Sequence, residues 1–370
     1  APARSSQGPR GPDPPAPAAM AEPDSPTSPK GPEEEYVHVK LPVKTMVPRY
    51  NTVPGYGQED AECFCVRFSP NQRYLAASFS NGFISIYKAE LGGHDSMLYD
   101  KPENFKGAVS QLPATCVRFR PGQNSSDSAM LAVTAEDNGR ILHWDIKTKK
   151  CVNRLEEEGN QIFCVDYSAD GLMFATGGID RKVRIYDETT KTLVQTMEAG
   201  NDNKNEAGKG TGHANRILGL ACHPLEPHTV VTGGWDKQLQ VWDLRQGISV
   251  QSVWNVVLYG QAVSFSSDGN TLLTGSYRTR SQLQMWDLRK GQVIETPEWK
   301  GPEKMGNQSS LYAAAFSKDE NSSLVVAGGS GSNEAKFFWR GEGKAVPFAG
   351  LVNMKKPCFS VDISPDGKLV

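Results

Sequence analysis

The sequence lacks the features that identify several classes of protein. It has no apolar run close to the roughly 20 residues needed to cross a bilayer, and its first residues contain no apolar core of a secretory signal. The formal net charge is only -2, so there is neither a basic excess that favours nucleic acid nor an acidic block that favours a basic partner. We therefore expect no membrane insertion, no nucleic acid, and partners that are other proteins.

Cysteine is present, but not in a pattern that builds cross-links or zinc sites. The seven cysteines are odd in number and no Cys-x-x-Cys pair occurs, so a disulfide framework is not expected. Most of them lie within apolar strand patterns and are expected to be small buried side chains. This usage is typical of a reducing compartment, so we expect the cytoplasm, with the nucleus, the cytoskeleton and the cilium left open.

The N-terminal segment differs in composition from the rest of the chain. Residues 1–34 are rich in Pro, Ser, Ala and Gly and have almost no large apolar side chain. Such a segment cannot bury enough surface to offset its ordering entropy. We predict a disordered Pro/Ser/Ala-rich tail over residues 1–34 and a folded region over residues 35–370.

A repeated pattern of strands begins after Tyr36. An apolar strand, a polar turn and a second apolar strand recur seven times. The last apolar residue of each first strand returns every 43 to 55 residues, at Phe68, Phe119, Tyr167, Cys222, Phe265, Phe316 and Ile363. Self-similarity at this period is typical of propeller blades.

The second half of each unit is equally regular. A strand of small residues leads through a polar turn to a third strand that ends in an aromatic residue, at Tyr87, Trp144, Tyr186, Trp242, Trp286 and Trp339. Alternating apolar and polar residues indicate strands, and Gly, Asn and Asp indicate the turns. A further short strand follows most of these units, so the sequence predicts four strands per unit.

From about Tyr36 to its end, the chain resembles WD-repeat proteins. Trp-Asp or Tyr-Asp closes the third strand in four units, at Trp144-Asp145, Tyr186-Asp187, Trp242-Asp243 and Trp286-Asp287. The resemblance implies an all-β fold, a seven-bladed β-propeller of four-stranded antiparallel blades. The seventh unit stops at Val370 inside its second strand, so we expect the last blade to be incomplete in this chain.

In such propellers the last blade usually combines C-terminal strands with one N-terminal strand. Residues 35–41 alternate well and are the candidate closing strand. The third strand of the seventh unit is missing, so either Val43–Arg49 replaces it or the sequence is a C-terminally truncated fragment. We favour the fragment, because an open blade edge promotes aggregation.

The resemblance also implies a hydrogen-bonded group of four side chains in the fourth unit. Gly212-His213 matches the Gly-His of the family, and the expected structural tetrad is His213, Thr232, Asp236 and Trp242. A buried Asp and a buried His need such partners. Units one to three depart from this set, so their blades are expected to depend more on apolar packing.

No motif for catalysis stands out. Gly208-Lys209-Gly210 lacks the first Gly and the Ser/Thr of a phosphate loop, and no Gly-x-Ser-x-Gly elbow occurs. The sequence predicts no enzyme, no cofactor and no metal site. The leading hypothesis is a non-catalytic scaffold that assembles a multiprotein complex through the faces of its propeller.

The candidate partner-binding surface is the face where the turns between second and third strands crowd around the axis. Trp235 and Tyr277 occupy matching positions in neighbouring units. Large aromatic residues and Arg anchor many interfaces, so the candidates are Trp235, Tyr277, Arg278, Arg181 and Arg216. The other interpretation of Trp235 is that it packs on its own blade.

A second hypothesis comes from a motif expected on the opposite face. Val230 to Arg245 resembles the sixteen-residue box of WD-repeat substrate receptors of cullin–RING ubiquitin ligases, in which the terminal Arg docks on the ligase adaptor. Trp-Asp-Leu-Arg returns in the next unit, so the adaptor-docking candidates are Trp242, Asp243, Arg245, Trp286, Asp287 and Arg289. The structural alternative is an Arg that only pairs with a local carboxylate.

Overall fold

A computed structural model describes nine stretches of the chain. These are residues 61–99, 112–121, 130–133, 139–199, 212–278, 280–299, 309–341, 344–352 and 354–370, with backbone alone at 130–133. The predicted tail 1–34, the predicted closing strand 35–41 and Val43–Arg49 lie outside the described residues.

The described residues form six four-stranded antiparallel sheets, and the strands of each sheet pair in sequence order. The first sheet contains β1 (Cys63–Phe68), β2 (Tyr74–Phe79), β3 (Ile84–Lys88) and β4 (His94–Leu98). The second contains β5 (Cys116–Phe119), β6 (Met130–Val133), β7 (Arg140–Asp145) and β8 (Lys150–Glu156). The third contains β9 (Ile162–Tyr167), β10 (Met173–Gly178), β11 (Val183–Asp187) and β12 (Thr192–Met197).

The other three sheets repeat the same order. The fourth contains β13 (Ile217–Cys222), β14 (Thr229–Gly234), β15 (Gln238–Asp243) and β16 (Ile248–Trp254). The fifth contains β17 (Val263–Phe265), β18 (Thr271–Gly275), β19 (Leu283–Asp287) and β20 (Gln292–Glu295). The sixth contains β21 (Ser310–Phe316), β22 (Leu324–Ser330), β23 (Ala335–Arg340) and β24 (Ala345–Leu351). The predicted all-β propeller of four-stranded antiparallel blades is therefore confirmed.

The antiparallel order gives the molecule two faces with different loops. The upper face carries the turns between second and third strands, together with the loops that enter each first strand. The lower face carries the turns between first and second strands and between third and fourth strands. The first strand of each sheet packs against the first strand of the next, so these strands surround a central axis.

The C-terminal residues lie between the first and sixth sheets. The Val66 N–H of β1 donates to Ser360 Oγ at 3.0 Å, and the Phe68 N–H donates to Asp362 Oδ2 at 2.8 Å. On the other side, the Cys358 N–H donates to the Gly329 carbonyl of β22 at 3.1 Å. Residues 358–364 thus lie where the inner strand of a seventh blade is predicted, although no strand pairing is assigned to them.

Apolar packing between neighbouring sheets forms the core. Phe174 of β10 stacks on Tyr186 of β11, with ring centroids 4.8 Å apart. His143 of the second sheet meets the edge of Phe174 at 5.3 Å. Because neighbouring sheets cover one another's faces, the six sheets depend on one another for burial.

The aromatic end of the sixth unit is one residue out of the predicted register. Phe338 pairs with Val325, as Trp286 pairs with Leu272 and therefore occupies the buried position. Trp339 takes the position of Asp287 and is 53% exposed, so the residue of β23 that matches the closing aromatic of the other units is Phe338, one residue earlier than predicted. Successive strand residues point to opposite faces, and a shift of one residue exchanges an inner side chain for an outer one.

The paired glycines at the ends of the second strands allow a close backbone approach. A Cβ on Gly234 would lie 2.3 Å from the Arg216 carbonyl oxygen, and one on Gly329 would lie 1.8 Å from the Ser310 carbonyl oxygen. At both positions the loop that enters the first strand passes directly over the glycine. The repeated Gly-Gly pairs therefore bring the entry loops onto the upper turns.

We expect Gly329→Ala to destabilise the fold, because its Cβ would displace the backbone at Ser310. The expected loss is about 2 kcal/mol, within the usual cost of overpacking. Urea unfolding followed by tryptophan fluorescence measures the shift in midpoint. Gly93→Ala is the matched control, since a Cβ there would meet nothing within 4 Å. Equal midpoints for both variants would contradict the close approach.

Candidate functional site

The four residues of the predicted tetrad lie within hydrogen-bonding distance of one another in the fourth sheet. The Trp242 Nε1–H donates to Thr232 Oγ1 at 2.7 Å, and His213 Nε2 lies 2.7 Å from the same oxygen. His213 Nδ1 lies 2.8 Å from Asp236 Oδ2, which also accepts the Ala214 N–H at 2.9 Å. The group therefore ties the entry loop of this sheet to its upper turn and third strand.

The tetrad fixes the position of Trp235, the residue that directly precedes Asp236. Trp235 lies at the upper turn, 38% exposed, and its N–H donates to the Arg216 carbonyl at 3.2 Å. The Arg216 guanidinium lies over the indole ring, 4.2 Å from the ring centroid. A rigid turn thus presents an indole and a guanidinium together on the upper face.

Six aromatic rings form a continuous row across the upper face, which we call the aromatic row. Neighbouring ring centroids lie 4.2 to 6.5 Å apart from one end of the row to the other. The closest pair is Tyr259 and Tyr277, which stack at 4.2 Å with an interplanar angle of 28°. In order, the row contains Trp235, Tyr259, Tyr277, Tyr312, Phe359 and Phe64.

The inner end of the row opens into a cup at the mouth of the central channel. This axial cup has a volume of about 440 Å³. Seven of its lining residues share one repeat position, four residues before the last apolar residue of each first strand. They are Phe64, Thr115, Phe163, Leu218, Gln261, Tyr312 and Phe359. Five of the seven are large and apolar, so the cup is built by the repeat itself.

Gln261 is one of the two polar residues at this repeat position, the other being Thr115, and its side chain makes hydrogen bonds across the central axis. Its Oε1 accepts hydrogen bonds from Arg118 Nη2 at 3.1 Å and from Arg67 Nη2 at 3.4 Å. Its Nε2 donates to the Phe163 carbonyl at 3.1 Å and to the Thr115 carbonyl at 3.4 Å. One side chain from the fifth sheet thus reaches across the axis to the first three sheets.

The structure brings together some of the predicted partner-binding residues, but not all. Trp235 and Tyr277 are joined through Tyr259, and Arg216 lies over Trp235. Arg278 follows Tyr277 in the chain and is half-buried. Arg181 is exposed at the corresponding turn of the third sheet, and no hydrogen bond or ion pair among the described residues joins its side chain to the row.

Sequence reasoning missed the inner part of the row. Tyr312, Phe359 and Phe64 share the repeat position described above, and aligning the seven units at that position would have revealed them. Tyr259 gives no such signal, because it lies in the loop between the fourth and fifth sheets. Only the packing of that loop places its ring between Trp235 and Tyr277.

Two guanidinium groups on this face have buried nitrogens without hydrogen bonds. Nε of Arg216 and Nη2 of Arg278 find no hydrogen-bond partner within the described ranges. Burial lowers the pKa of Arg278. Nearby carboxylates are already bound, since Asp236 belongs to the tetrad and Asp180 accepts from Arg184 Nη2 at 2.5 Å. Among the described residues, these two aspartates therefore do not neutralise Arg216 and Arg278.

The adaptor-docking candidates lie toward the lower face and differ in how deeply their side chains are buried. Trp242 and Trp286 are fully or almost fully buried, whereas Arg245 and Arg289 are exposed. Arg245 Nε donates to Asp243 Oδ1 at 3.2 Å, and this hydrogen bond lowers the pKa of Asp243 to about 2. In the next unit Asp287 instead lies 3.3 Å from Lys290 Nζ. The two copies therefore differ in their local ion pairs.

The third sheet contains a polar network where apolar packing was expected. Glu157 is buried, and its Oε1 accepts hydrogen bonds from Thr176 Oγ1 at 2.5 Å and from the Tyr186 hydroxyl at 2.9 Å. Its Oε2 accepts from Asn160 Nδ2 at 2.6 Å and Arg184 Nη1 at 3.0 Å. The expectation of mainly apolar packing was wrong for this sheet. The Glu157 carboxylate, from the entry loop, takes the place that His213 has in the fourth sheet.

The described part of the chain contains neither a metal-binding cluster nor a membrane-spanning helix. It contains no cluster of three or more His, Cys, Asp or Glu side chains placed to hold a metal ion. None of its helices has the length and apolar character needed to cross a membrane. His223, beside a Pro-rich turn, accepts the Glu226 N–H on Nδ1 at 2.9 Å and packs on Phe265 at 4.8 Å.

We expect Glu157→Gln to lower the stability of the fold. The substitution removes the buried charge that faces Arg184 and leaves the guanidinium short of a partner, which typically costs about 3 kcal/mol. Thermal unfolding followed by circular dichroism measures the effect. Glu158→Gln is the matched control, because that neighbouring carboxylate is exposed and should be nearly neutral. A Glu157 variant as stable as this control would show that the network contributes nothing.

Comparison with known proteins identifies the type of repeat and supports the fold. A protein-family model described as "WD domain, G-beta repeat" matches residues 50–88, 149–187 and 206–243. A chain of the "Crystal Structure of Mitotic Checkpoint Complex" superposes with a TM-score of 0.63 and 14% identity, covering 91% of this chain and 94% of that one. At this identity the likeness concerns the fold alone.

Curated relatives match the chain over parts of their length. The "Ribosome biogenesis protein WDR12 homolog" of Drosophila yakuba is 27% identical over 241 residues, 62% of this chain and 54% of that protein. The "Ribosome biogenesis protein YTM1" of Phaeosphaeria nodorum is 26% identical over 136 residues, 36% of this chain and 25% of that protein. The matched part is thus about half or less of these relatives. These findings show that the chain contains WD repeats, carried by a β-propeller of four-stranded blades.

Proposed function

We propose that this chain is a non-catalytic scaffold that assembles a multiprotein complex through the faces of its propeller. The aromatic row carries this proposal. Trp235, Tyr259 and Tyr277 are 38%, 37% and 46% exposed while their rings contact one another. Contiguous exposed aromatic surface is costly to a monomer and typical of interaction sites.

The arrangement suits binding because the anchors are already ordered. Each ring of the row is fixed by its neighbours, and Trp235 is also held by the tetrad through Asp236. A partner that docks on such a surface loses less side-chain entropy than one that must order a flexible surface. Trp and Arg are also the residue types most often found at interface hot spots, as in the pair of Trp235 and Arg216.

We further propose that the ring has seven blades. Six sheets and the inner segment 358–364 support this count, because that segment bonds to the first sheet on one side and to the sixth on the other. The predicted closing strand over residues 35–41 would supply a strand to this last blade. A closed ring protects the edges that an open propeller would expose.

The complex that this scaffold serves is proposed from its relatives. Two of the matched proteins bear the name "Ribosome biogenesis protein", so we propose that the assembled complex takes part in making ribosomes. Such a role would bring the chain into the nucleus, one of the compartments left open by its cysteine usage. The aromatic row would then bind another protein of that machinery.

We expect a Trp235→Ala/Tyr277→Ala double variant to lose co-purifying proteins that the unaltered chain retains. The full chain would be expressed with a tag in cells of its own organism and its partners quantified by mass spectrometry. Loss of two central anchors should weaken a partner at least tenfold, since each hot-spot residue typically contributes about 2 kcal/mol. Thermal unfolding would verify that the variant is folded.

Two control variants make the experiment specific. Trp339→Ala removes an exposed tryptophan at the lower end of β23, outside the row, and should leave partners of the row unaffected. The Arg245→Ala/Arg289→Ala variant tests the adaptor-docking hypothesis. If a cullin–RING adaptor co-purified with the unaltered chain and was lost only from this variant, the chain would instead be a substrate receptor of a cullin–RING ubiquitin ligase. Identical partners for the unaltered chain and the row variant would overturn docking on the row.

A further inference from the structure

The charge of the upper face indicates what kind of partner the row receives. Arg216 and Arg278 each have a buried guanidinium nitrogen without a hydrogen-bond partner in the part of the chain that the structure describes. Both arginines are half-buried and not enclosed, so a charged acceptor on a partner can approach the rest of each guanidinium and would be held by a charge-assisted hydrogen bond. A carboxylate is the protein group whose geometry matches a guanidinium best.

Two acids on the described upper turns, Asp236 and Asp180, do not supply this acceptor. Asp236 accepts from Ala214 and Gln238 and lies against His213, so its oxygens are already used inside the turn. Asp180, on the corresponding turn of the third sheet, is paired with Arg184 at 2.5 Å. Neither of these two described acids therefore competes with a ligand for Arg216 and Arg278.

The axial cup lies a short distance from this charge. The Arg216 guanidinium is 4.2 Å from the Trp235 ring, which is 5.3 Å from Tyr259 at the rim of the cup. An extended chain advances about 3.3 Å per residue, so roughly three residues cover this path. The cup, about 440 Å³ and lined mainly by apolar rings, is large enough for a bulky apolar side chain.

We infer that the aromatic row and the axial cup together receive a linear acidic segment of a partner protein. A bulky apolar side chain enters the cup, and carboxylates within about three residues of it pair with Arg216 and Arg278. The inference rests on the proposed scaffold function and adds the chemistry of the partner. It also assigns Arg278 and Arg216 as specificity determinants, with the rings supplying contact area.

Single-stranded nucleic acid is the other ligand that stacks on aromatic rings beside arginine. The observations favour a peptide, because the formal net charge of the chain is -2 and the cup is a largely apolar recess. Gln261 lines that recess and is held by hydrogen bonds to Arg118 and to the Phe163 carbonyl. The test must therefore distinguish RNA binding from peptide binding.

A peptide selection on the full chain tests the inference directly. Random twelve-residue peptides displayed on phage would be selected on the unaltered protein and on an Arg216→Gln/Arg278→Gln variant. We expect the unaltered protein to enrich peptides with Asp or Glu within three residues of a Leu, Phe or Trp. Synthetic peptides from the selection should bind the variant at least tenfold more weakly, measured by fluorescence anisotropy, and should weaken as salt rises.

Further variants separate this inference from the function on which it rests. Arg245→Gln, on the lower face, should leave peptide binding unchanged, and Arg216→Lys/Arg278→Lys should retain part of it. Enrichment of neutral peptides that need Trp235 and Tyr277 but not the arginines would overturn the acidic specificity and leave the scaffold function standing. Failure to enrich any peptide, or tighter binding of an oligouridine RNA than of every selected peptide, would overturn the inference. If the row variant also kept all cellular partners, the scaffold function would fail with it.

Discussion

The burial of each sheet against a neighbouring sheet is the constraint on which the rest of the structure depends. The largest core clusters draw side chains from several sheets, and Phe174 and Met285 are buried in clusters of this kind. This packing repeats around the axis, so the inner strands converge and their equivalent residues meet. The axial cup and the channel are direct results of that convergence.

Each sheet must also bury polar groups at its upper end, and the sheets do so in different ways. The fourth sheet uses His213 and Asp236, whereas the third uses Glu157 to gather donors from Thr176 and Tyr186. In the fifth sheet the Trp286 indole donates to Thr274 alone, at 2.9 Å. The threonine and the ring of the third strand recur, while the group that joins them to the entry loop varies.

The strands were largely predictable from the sequence because their signals are local. Period-2 alternation, turn residues and the repeat spacing are visible without any knowledge of the fold, as in Val183–Asp187. It was not predictable that Phe338, and not Trp339, takes the buried position, because strand register depends on which residue faces the neighbouring strand. Glu157 and Tyr259 were missed for a related reason: both act from entry loops, whose contacts are set by distant residues.

The side chain of Gln261 lies between the two mouths of the central channel. It bridges the inner strands of three other sheets, between the axial cup above and the Arg67 and Arg118 guanidinium groups below. The cup above this bridge is lined mainly by apolar side chains, whereas the cavity below it contains Arg67, Arg118, Asp166 and Asp362. The two mouths of the propeller thus offer different chemistry, apolar above and charged below, so the protein resembles a two-sided connector.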